Sequence, residues 1–165
     1  MTILVSAASK HGATEEIAWR IARELQALGL DAVVIPPEEV DSLEGYDAVV
    51  LGSAVYAGRW LEPAKRFVGR HAAGLRARPV WLFSSGPIGE PAKPDGDPVD
   101  VAAMREMTMA REHRVMSGAL LKGKLSFAER AITRVVGAAE GDYRPWVEID
   151  AWARTIADEM AAPAR

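Results

Sequence analysis

Ile3-Leu4-Val5-Ser6-Ala7-Ala8-Ser9-Lys10-His11-Gly12-Ala13-Thr14-Glu15-Glu16-Ile17-Ala18 is the stretch from which the fold is read. Ile3 to Ala7 is a short run that is mostly apolar on both faces, as a strand covered on both sides must be. Ile17, Ile21, Leu25 and Leu28 then fall at helical spacing, and Gly29 stands where a helix C-cap is wanted. The stretch therefore predicts strand, loop and helix in succession, with the loop at Ser9 to Thr14.

The same alternation continues along the chain. Apolar runs recur at Asp31 to Ile35, stopped by Pro36-Pro37, at Asp47 to Leu51, at Pro79 to Ser84 and at Arg114 to Leu120. Helical stripes lie between and after them. One is Ala64, Phe67, Val68, Ala72 and Leu75, with Pro63 near its start; another is Ile149, Trp152, Ile156 and Met160. Alternating strands and helices form βαβ units with right-handed crossovers. Five strands in 165 residues suit an α/β three-layer sandwich on a five-stranded parallel sheet of order 2-1-3-4-5. We expect a single domain over residues 1–165. Glu90 to Asp100, with three prolines and Gly96, is expected as a surface loop, and Leu125 to Val136 as an extra amphipathic segment.

Composition narrows the chemistry. The chain has no cysteine, so disulfides, thiolate catalysis and cysteine-held zinc or iron–sulfur centres are excluded. Net charge is −3, from 20 basic against 23 acidic residues, too balanced to indicate nucleic-acid binding. No basic region and long apolar stretch stand ahead of Ile3, and no run approaches a membrane span, so a cytoplasmic location is expected. His71 is expected on a helix surface and His113 beside a strand, with no metal-ligand spacing between them. Met104, Met107, Met109 and Met116 are expected as core or loop filler. No paired carboxylates and no Ser-His-Asp order stand out, so hydrolysis finds no support.

In an open parallel sheet, ligands bind at the carboxyl ends of the strands where the strand order reverses. Three loops belong there. Ser9-Lys10-His11-Gly12-Ala13-Thr14 offers hydroxyls, a cation, a glycine for close backbone approach and a helix start whose free N–H groups suit a phosphate. It also suits a plain strand-to-helix turn, with Lys10 in water and Glu15 and Glu16 complementing the helix dipole. It has neither the Walker ending nor the G-x-G-x-x-G spacing. Gly52 to Trp60 contains Ala54, Val55, Tyr56, Ala57, Gly58 and Arg59; Tyr56 and Trp60 are candidate walls for a planar cofactor, or Trp60 packs in the core. Ser84, Ser85, Gly86, Pro87, Ile88 and Gly89 could meet the polar edge and one face of a ring, or form a turn before the proline-rich segment.

At these residues the chain resembles a known family. Val5 to Ala18, VSAASKHGATEEIA, is similar to the phosphate loop of the flavodoxin domain. Gly52 to Trp60, GSAVYAGRW, is similar to the second flavin loop of a subfamily that includes the menaquinone-dependent protoporphyrinogen oxidases. The likeness continues through Ser117 to Leu120 and Gly141 to Ala153. It implies non-covalent FMN, with Ser9 to Thr14 at the phosphate and Ala54 to Arg59 and Ser84 to Gly89 flanking the isoalloxazine. It implies an FMN-dependent oxidoreductase passing electrons from a bulky, apolar substrate to a quinone. The alternatives are an electron carrier between a reductase and an acceptor protein, or a related module that takes a deazaflavin or no cofactor.

The chain departs from that pattern in two places. His11 stands where many flavodoxins place the first hydroxyl of Thr-Gly-Asn-Thr, and the chain is nearly neutral where they are strongly acidic. Arg59 is a cation where an acid is frequent, which would favour the anionic reduced flavin, unless it is only a solvated surface charge. The oxidase members carry a long segment in the region of Leu121 to Val136. Here its Lys122, Lys124, Leu125, Phe127, Arg130, Ile132 and Arg134 could form a basic amphipathic helix that covers the sheet or makes peripheral membrane contact.

Overall fold

A computed structural model describes residues 1–86, 96–120, 123, 126–136 and 141–162, with residues 132–136 by backbone only. The strands are β1 (Thr2–Ala8), β2 (Asp31–Val34), β3 (Ala48–Tyr56), β4 (Arg59–Trp60), β5 (Val80–Ser85), β6 (Glu112–Met116), β7 (Ala119–Leu120) and β8 (Gly141–Asp142). The helices are α1 (Ala13–Ala27), α2 (Glu62–Arg76), α3 (Val101–Thr108), α4 (Phe127–Val136) and α5 (Trp146–Ala161).

The main sheet runs β2-β1-β3-β5-β6 with every neighbouring pair on that path parallel. This is the expected 2-1-3-4-5 order, since β4 is a short branch off β3. The strand order reverses at β1 and β3, so their carboxyl ends frame the crevice where ligands of such sheets sit.

Alternate residues of each strand feed two cores. Ile3, Val5, Val50, Trp81 and Phe83 face α1 and α5, packing on Ile17, Ile21, Leu25, Trp152 and Ile156. Leu4, Val49, Leu51 and Leu82 face the other layer, packing on Phe67, Val68 and Leu75 of α2 and on Val101 and Met104. The two layers explain why the strands read as nearly unbroken apolar runs. Phe83 meets Trp152 edge-on, with ring centroids 6.1 Å apart.

Local signals end the elements as expected. Gly29 takes φ 86°, its N–H donates to the Gln26 carbonyl, and the Leu30 N–H reaches back to the Leu25 carbonyl. This is a Schellman closure of α1. It turns Leu28 out of the stripe, leaving it exposed, and Leu30 packs on the core instead.

The structure corrects the outline in three places. β3 does not stop at Leu51 but continues to Tyr56, so Gly52 and Ser53 are strand residues rather than loop. The expected fifth strand, Arg114 to Leu120, is two pieces: β6 ends at Met116, and β7 leaves the main sheet to pair with β8. Ser117-Gly118 makes the break, because the Gly118 carbonyl accepts from the Tyr143 N–H and ties the chain to the β8 side. The third difference is α3, a helix absent from the sequence outline. It buries Val101, Met104 and Thr108 and ends at Met109, which takes φ 55° and is exposed. Eight residues give too few turns for a periodic signal to stand out.

Candidate functional site

The loop after β1 begins at Ser9, whose hydroxyl accepts the Gly12 N–H at 3.0 Å. Gly12 takes φ 87° and starts α1 with no side-chain cap. The first intrahelical bond runs from the Glu16 N–H to the Gly12 carbonyl at 3.0 Å. The N–H groups of Ala13, Thr14 and Glu15 therefore precede the helical ladder and point out of the helix start, as a bound anion requires. Thr14 is buried, whereas Ser9 and Gly12 are partly open. Glu16, which would oppose an anion, is ion-paired with Arg144, whose guanidinium also donates to the Ala13 carbonyl at 3.2 Å. Arg144 is otherwise clamped by Asp142, at 2.7 and 2.8 Å, and lies over the Trp146 ring. The Asp142 carboxylate and then Glu16 hold the Arg144 guanidinium above its ordinary pKa.

An anion already lies against this loop. The Glu129 carboxylate of α4 contacts the Lys10 ammonium and stands 3.0 Å from His11 Nε2. Lys10, followed by the Ser126 backbone N–H, pulls the Glu129 carboxyl down to a pKa of about 2. Ser126 and Glu129 also form a reciprocal cap of α4, with the Ser126 N–H donating to Glu129 at 2.9 Å and the Glu129 N–H to Ser126 Oγ at 3.3 Å. That capping box, Ser126-Phe127-Ala128-Glu129, was the available sequence signal for this residue. Its contact with Lys10 had none.

The second segment is a hairpin. Ala54 and Val55 are still in β3, and Tyr56 ends it. Ala57 (φ 50°) and Gly58 (φ 72°) make a two-residue turn with both φ positive, the conformation that matches the twist of a tight hairpin. Arg59 and Trp60 then pair back on Tyr56 and Val55. The turn is braced from outside: the Val99 N–H donates to the Gly58 carbonyl at 2.9 Å, the Trp60 N–H to Asp100 at 3.0 Å, and Arg59 to Asp100 at 3.2 Å. Arg59 is thus exposed but paired, and Tyr56 is 39% exposed. Trp60 is buried, in accord with its reading as a core residue.

In the third segment Ser84 and Ser85 close β5 and are buried. The Gly86 N–H donates to the Met116 carbonyl at 3.3 Å. A Cβ on Gly86 would lie 2.8 Å from Val55 Cβ, so only glycine lets the two segments approach this closely. Pro87, Ile88 and Gly89 lie outside the described residues, as do Lys122, Lys124 and Leu125 of the expected basic segment; the side chains of Ile132 and Arg134 lie outside them too.

The hydroxyl of Ser84 does not face a ligand space. It accepts the Trp60 Nε1–H at 2.7 Å and lies 2.7 Å from His113 Nε2, while His113 Nδ1 lies 3.3 Å from Asp97. His113 is in β6 with its side chain 2% exposed, rather than flanking the strand. Serine, histidine and aspartate therefore do meet in space, although the sequence showed no such grouping. Ser84 is fully buried and already bonded to Trp60, so the group is not arranged for nucleophilic attack. His71 lies on α2, half-buried, with Nε2 3.1 Å from the Val40 carbonyl.

The three candidate segments thus leave the same edge of three adjacent parallel strands. The Lys10 ammonium and the His11 ring form a rim that holds a carboxylate at the open start of α1, and this donor set fits a phosphate monoester. Tyr56, exposed beside Lys10, and the close approach of Gly86 to Val55 fit a planar group bound next to it. Among the described residues no helix is long and apolar enough to cross a membrane.

Comparison with known proteins agrees with this arrangement. The sequence pattern of the flavodoxin domain matches residues 4–144. A protein of Escherichia coli K12 named protoporphyrinogen IX dehydrogenase [quinone] is 26% identical over 174 aligned positions, covering 95% of each chain. Among solved structures, an archaeal flavodoxin superposes with a TM-score of 0.66 at 19% identity, covering 98% of this chain and 100% of that one. A flavodoxin from Pseudomonas aeruginosa does so with a TM-score of 0.66 at 16% identity, with the same coverage.

Proposed function

Because the chain belongs to the flavodoxin domain family, we propose that it binds FMN and works as an oxidoreductase of the quinone-linked protoporphyrinogen-oxidase kind. The observation that carries the enzymatic part is the end-to-end match to the E. coli dehydrogenase, which spans both chains almost completely.

The bound flavin supplies the redox chemistry, and the protein supplies binding, orientation and electrostatics. Lys10, His11 and the free N–H groups at the start of α1 hold the phosphate. Ser9 shapes their loop by accepting the Gly12 N–H. Tyr56 supplies an aromatic wall, and the hairpin Ala54 to Arg59 with Ser85 and Gly86 flanks the ring. Arg59 adds positive charge near it, moderated by Asp100. A quinone is the proposed electron acceptor. The near-neutral charge of the chain gives less support to an acidic shuttle that docks on basic partners.

The test begins with the visible spectrum of the purified protein and mass identification of the released chromophore. Oxidised FMN bound in equal amount to protein is expected. Anaerobic mixing with protoporphyrinogen IX and a menaquinone analogue should then yield protoporphyrin at a rate that depends on both. A long-lived semiquinone on stepwise reduction, with no porphyrin oxidation, replaces the enzyme with an electron carrier. A colourless protein that ignores added FMN removes both.

A further inference from the structure

Trp60, Ser84, His113 and Asp97 form a line of hydrogen-bonding groups that the proposed redox role leaves unused. The line joins four parts of the chain: the β3–β4 hairpin, the end of β5, β6 and the segment ahead of α3. Its distances are 2.7 Å from Trp60 Nε1 to Ser84 Oγ, 2.7 Å from Ser84 Oγ to His113 Nε2 and 3.3 Å from His113 Nδ1 to Asp97 Oδ1.

Donor and acceptor roles follow from the ends inward. An indole N–H only donates, and a carboxylate only accepts. Asp97 therefore calls for the proton on His113 Nδ1. Nε2 is then an acceptor and takes the Ser84 O–H, while a Ser84 lone pair takes the Trp60 N–H. Every group is satisfied only when His113 is neutral. A proton on Nε2 gives Ser84 two donors to accept, and the Ser84 proton must leave the line for another acceptor.

We infer that His113 is a positioning residue whose protonation switches the hold of this relay on the β3–β4 hairpin, and with it the affinity of the adjacent site for FMN. The hairpin carries Tyr56 and Arg59, and Ser84 directly precedes Ser85 and Gly86, so both ring-flanking segments are tied through one hydroxyl. The charged groups facing His113 are Asp97 from the segment ahead of α3, Arg105 from α3, and Glu112 from β6 itself. Burial outweighs the attraction of Asp97 and holds the imidazole below its ordinary value of 6.5, so the intact relay is the neutral-pH state. A folded pKa below the unfolded one means that the tie weakens as pH falls toward that lower value.

The FMN arm of the test rests on the function proposed above; the spectroscopic arm does not. With no cofactor added, 15N NMR of the full chain should show His113 protonated on Nδ1 at pH 7.5. The Trp60 indole N–H resonance should titrate with the same midpoint as His113, below 6.5. It should not titrate in His113→Gln. In Asp97→Asn, whose side chain is largely exposed and keeps a hydrogen-bond acceptor, the midpoint should move to lower pH. Across that step the FMN Kd of the wild type should rise about five- to tenfold more than that of His113→Gln, the worth of about one net hydrogen bond, since the flavin phosphate itself titrates near about pH 6 in both proteins. A His113 proton on Nε2 at pH 7.5, a Trp60 signal that ignores pH, or a midpoint unmoved in Asp97→Asn overturns the relay. A Kd that follows pH equally in the wild type and in His113→Gln while Trp60 titrates overturns its link to the site. A chain that binds no FMN at any pH removes the proposed function, and the NMR results then decide the relay alone.

Discussion

The Lys10 ammonium lies 5.3 Å from the centre of the Tyr56 ring, so the β1–α1 loop and the β3–β4 hairpin meet through one cation and one aromatic face. Lys10 thus touches both proposed parts of the cofactor site. Lys10→Ala should weaken FMN binding about tenfold, since a charge-assisted contact to phosphate is lost at a half-exposed position. Riboflavin, which has no phosphate, should lose far less affinity. Equal losses for the two flavins, measured by fluorescence quenching, would assign Lys10 to the ring alone.

Glu129 competes for the same cation and for His11. Glu129→Gln removes the charge and keeps the reciprocal cap with Ser126, because glutamine serves the capping box as well as glutamate does. FMN should bind about threefold more tightly to the variant, on the scale of an exposed ion pair. Weaker binding would show that the carboxylate supports the site instead of occupying it.

The same pair sets an acid dependence. The Glu129 carboxyl is held at about 2 against an ordinary 4.5. A depressed acid stabilises the fold fully above its unfolded pKa and loses that contribution as pH falls through the folded one. The stability lead of the wild type over Glu129→Gln should therefore shrink between pH 4.5 and pH 2. Urea midpoints of the two proteins that run parallel from pH 5 to 3 would contradict this.

Gly52 lies directly under Phe83. A Cβ there would be 2.1 to 2.4 Å from three atoms of that ring, and Phe83 is itself fully buried against Trp152. Gly52→Ala should destabilise by about 3 kcal/mol, since a packed core cannot yield that space without strain. Phe83→Leu should recover part of the loss in the double variant, giving a coupling energy of about 1 kcal/mol or more. Strict additivity in urea unfolding would mean that the two residues do not compete for that volume.

Arg59 and Asp100 form an opposed pair beside the proposed ring site. Arg59→Glu should lower the two-electron midpoint potential of bound FMN, and Asp100→Asn should raise it. At about 20 mV for each unit of charge, the equivalent of an exposed charge interaction of about 1 kcal/mol, the shift should be about 40 mV for Arg59→Glu and about 20 mV for Asp100→Asn. Spectroelectrochemistry that finds Arg59→Glu unchanged would leave Arg59 as a surface charge braced by Asp100.

What could be read from the chain was whatever repeats over a few residues. A strand covered on both faces must be apolar on both, and a helix on a sheet must carry a stripe. The alternation from Ile3 onward therefore carried the layers, the strand order and the edge at which ligands bind. Gly29 told its cap for the same reason, since one residue takes the left-handed conformation there. The loop Ser9 to Thr14 stood out as a candidate for a phosphate because its hydroxyl, cation, glycine and helix start are neighbours in sequence.

Meetings of residues far apart in the chain came from the fold, because no local period encodes them. The end of β3 reads as a loop because glycines and small residues crowd it, yet pairing with β1 and β5 keeps it extended through Ala54. The Arg114 to Leu120 run reads as one strand, and its division follows from β8 drawing Ala119 and Leu120 away from the sheet. Glu129 on Lys10, Arg144 on Glu16, and His113 between Ser84 and Asp97 each depend on two elements arriving at one place. Charge and hydrogen bonding act through space, whereas periodicity acts along the chain. Local pattern therefore carried the layers and the strand edge, and the folded chain decided which side chains gather there.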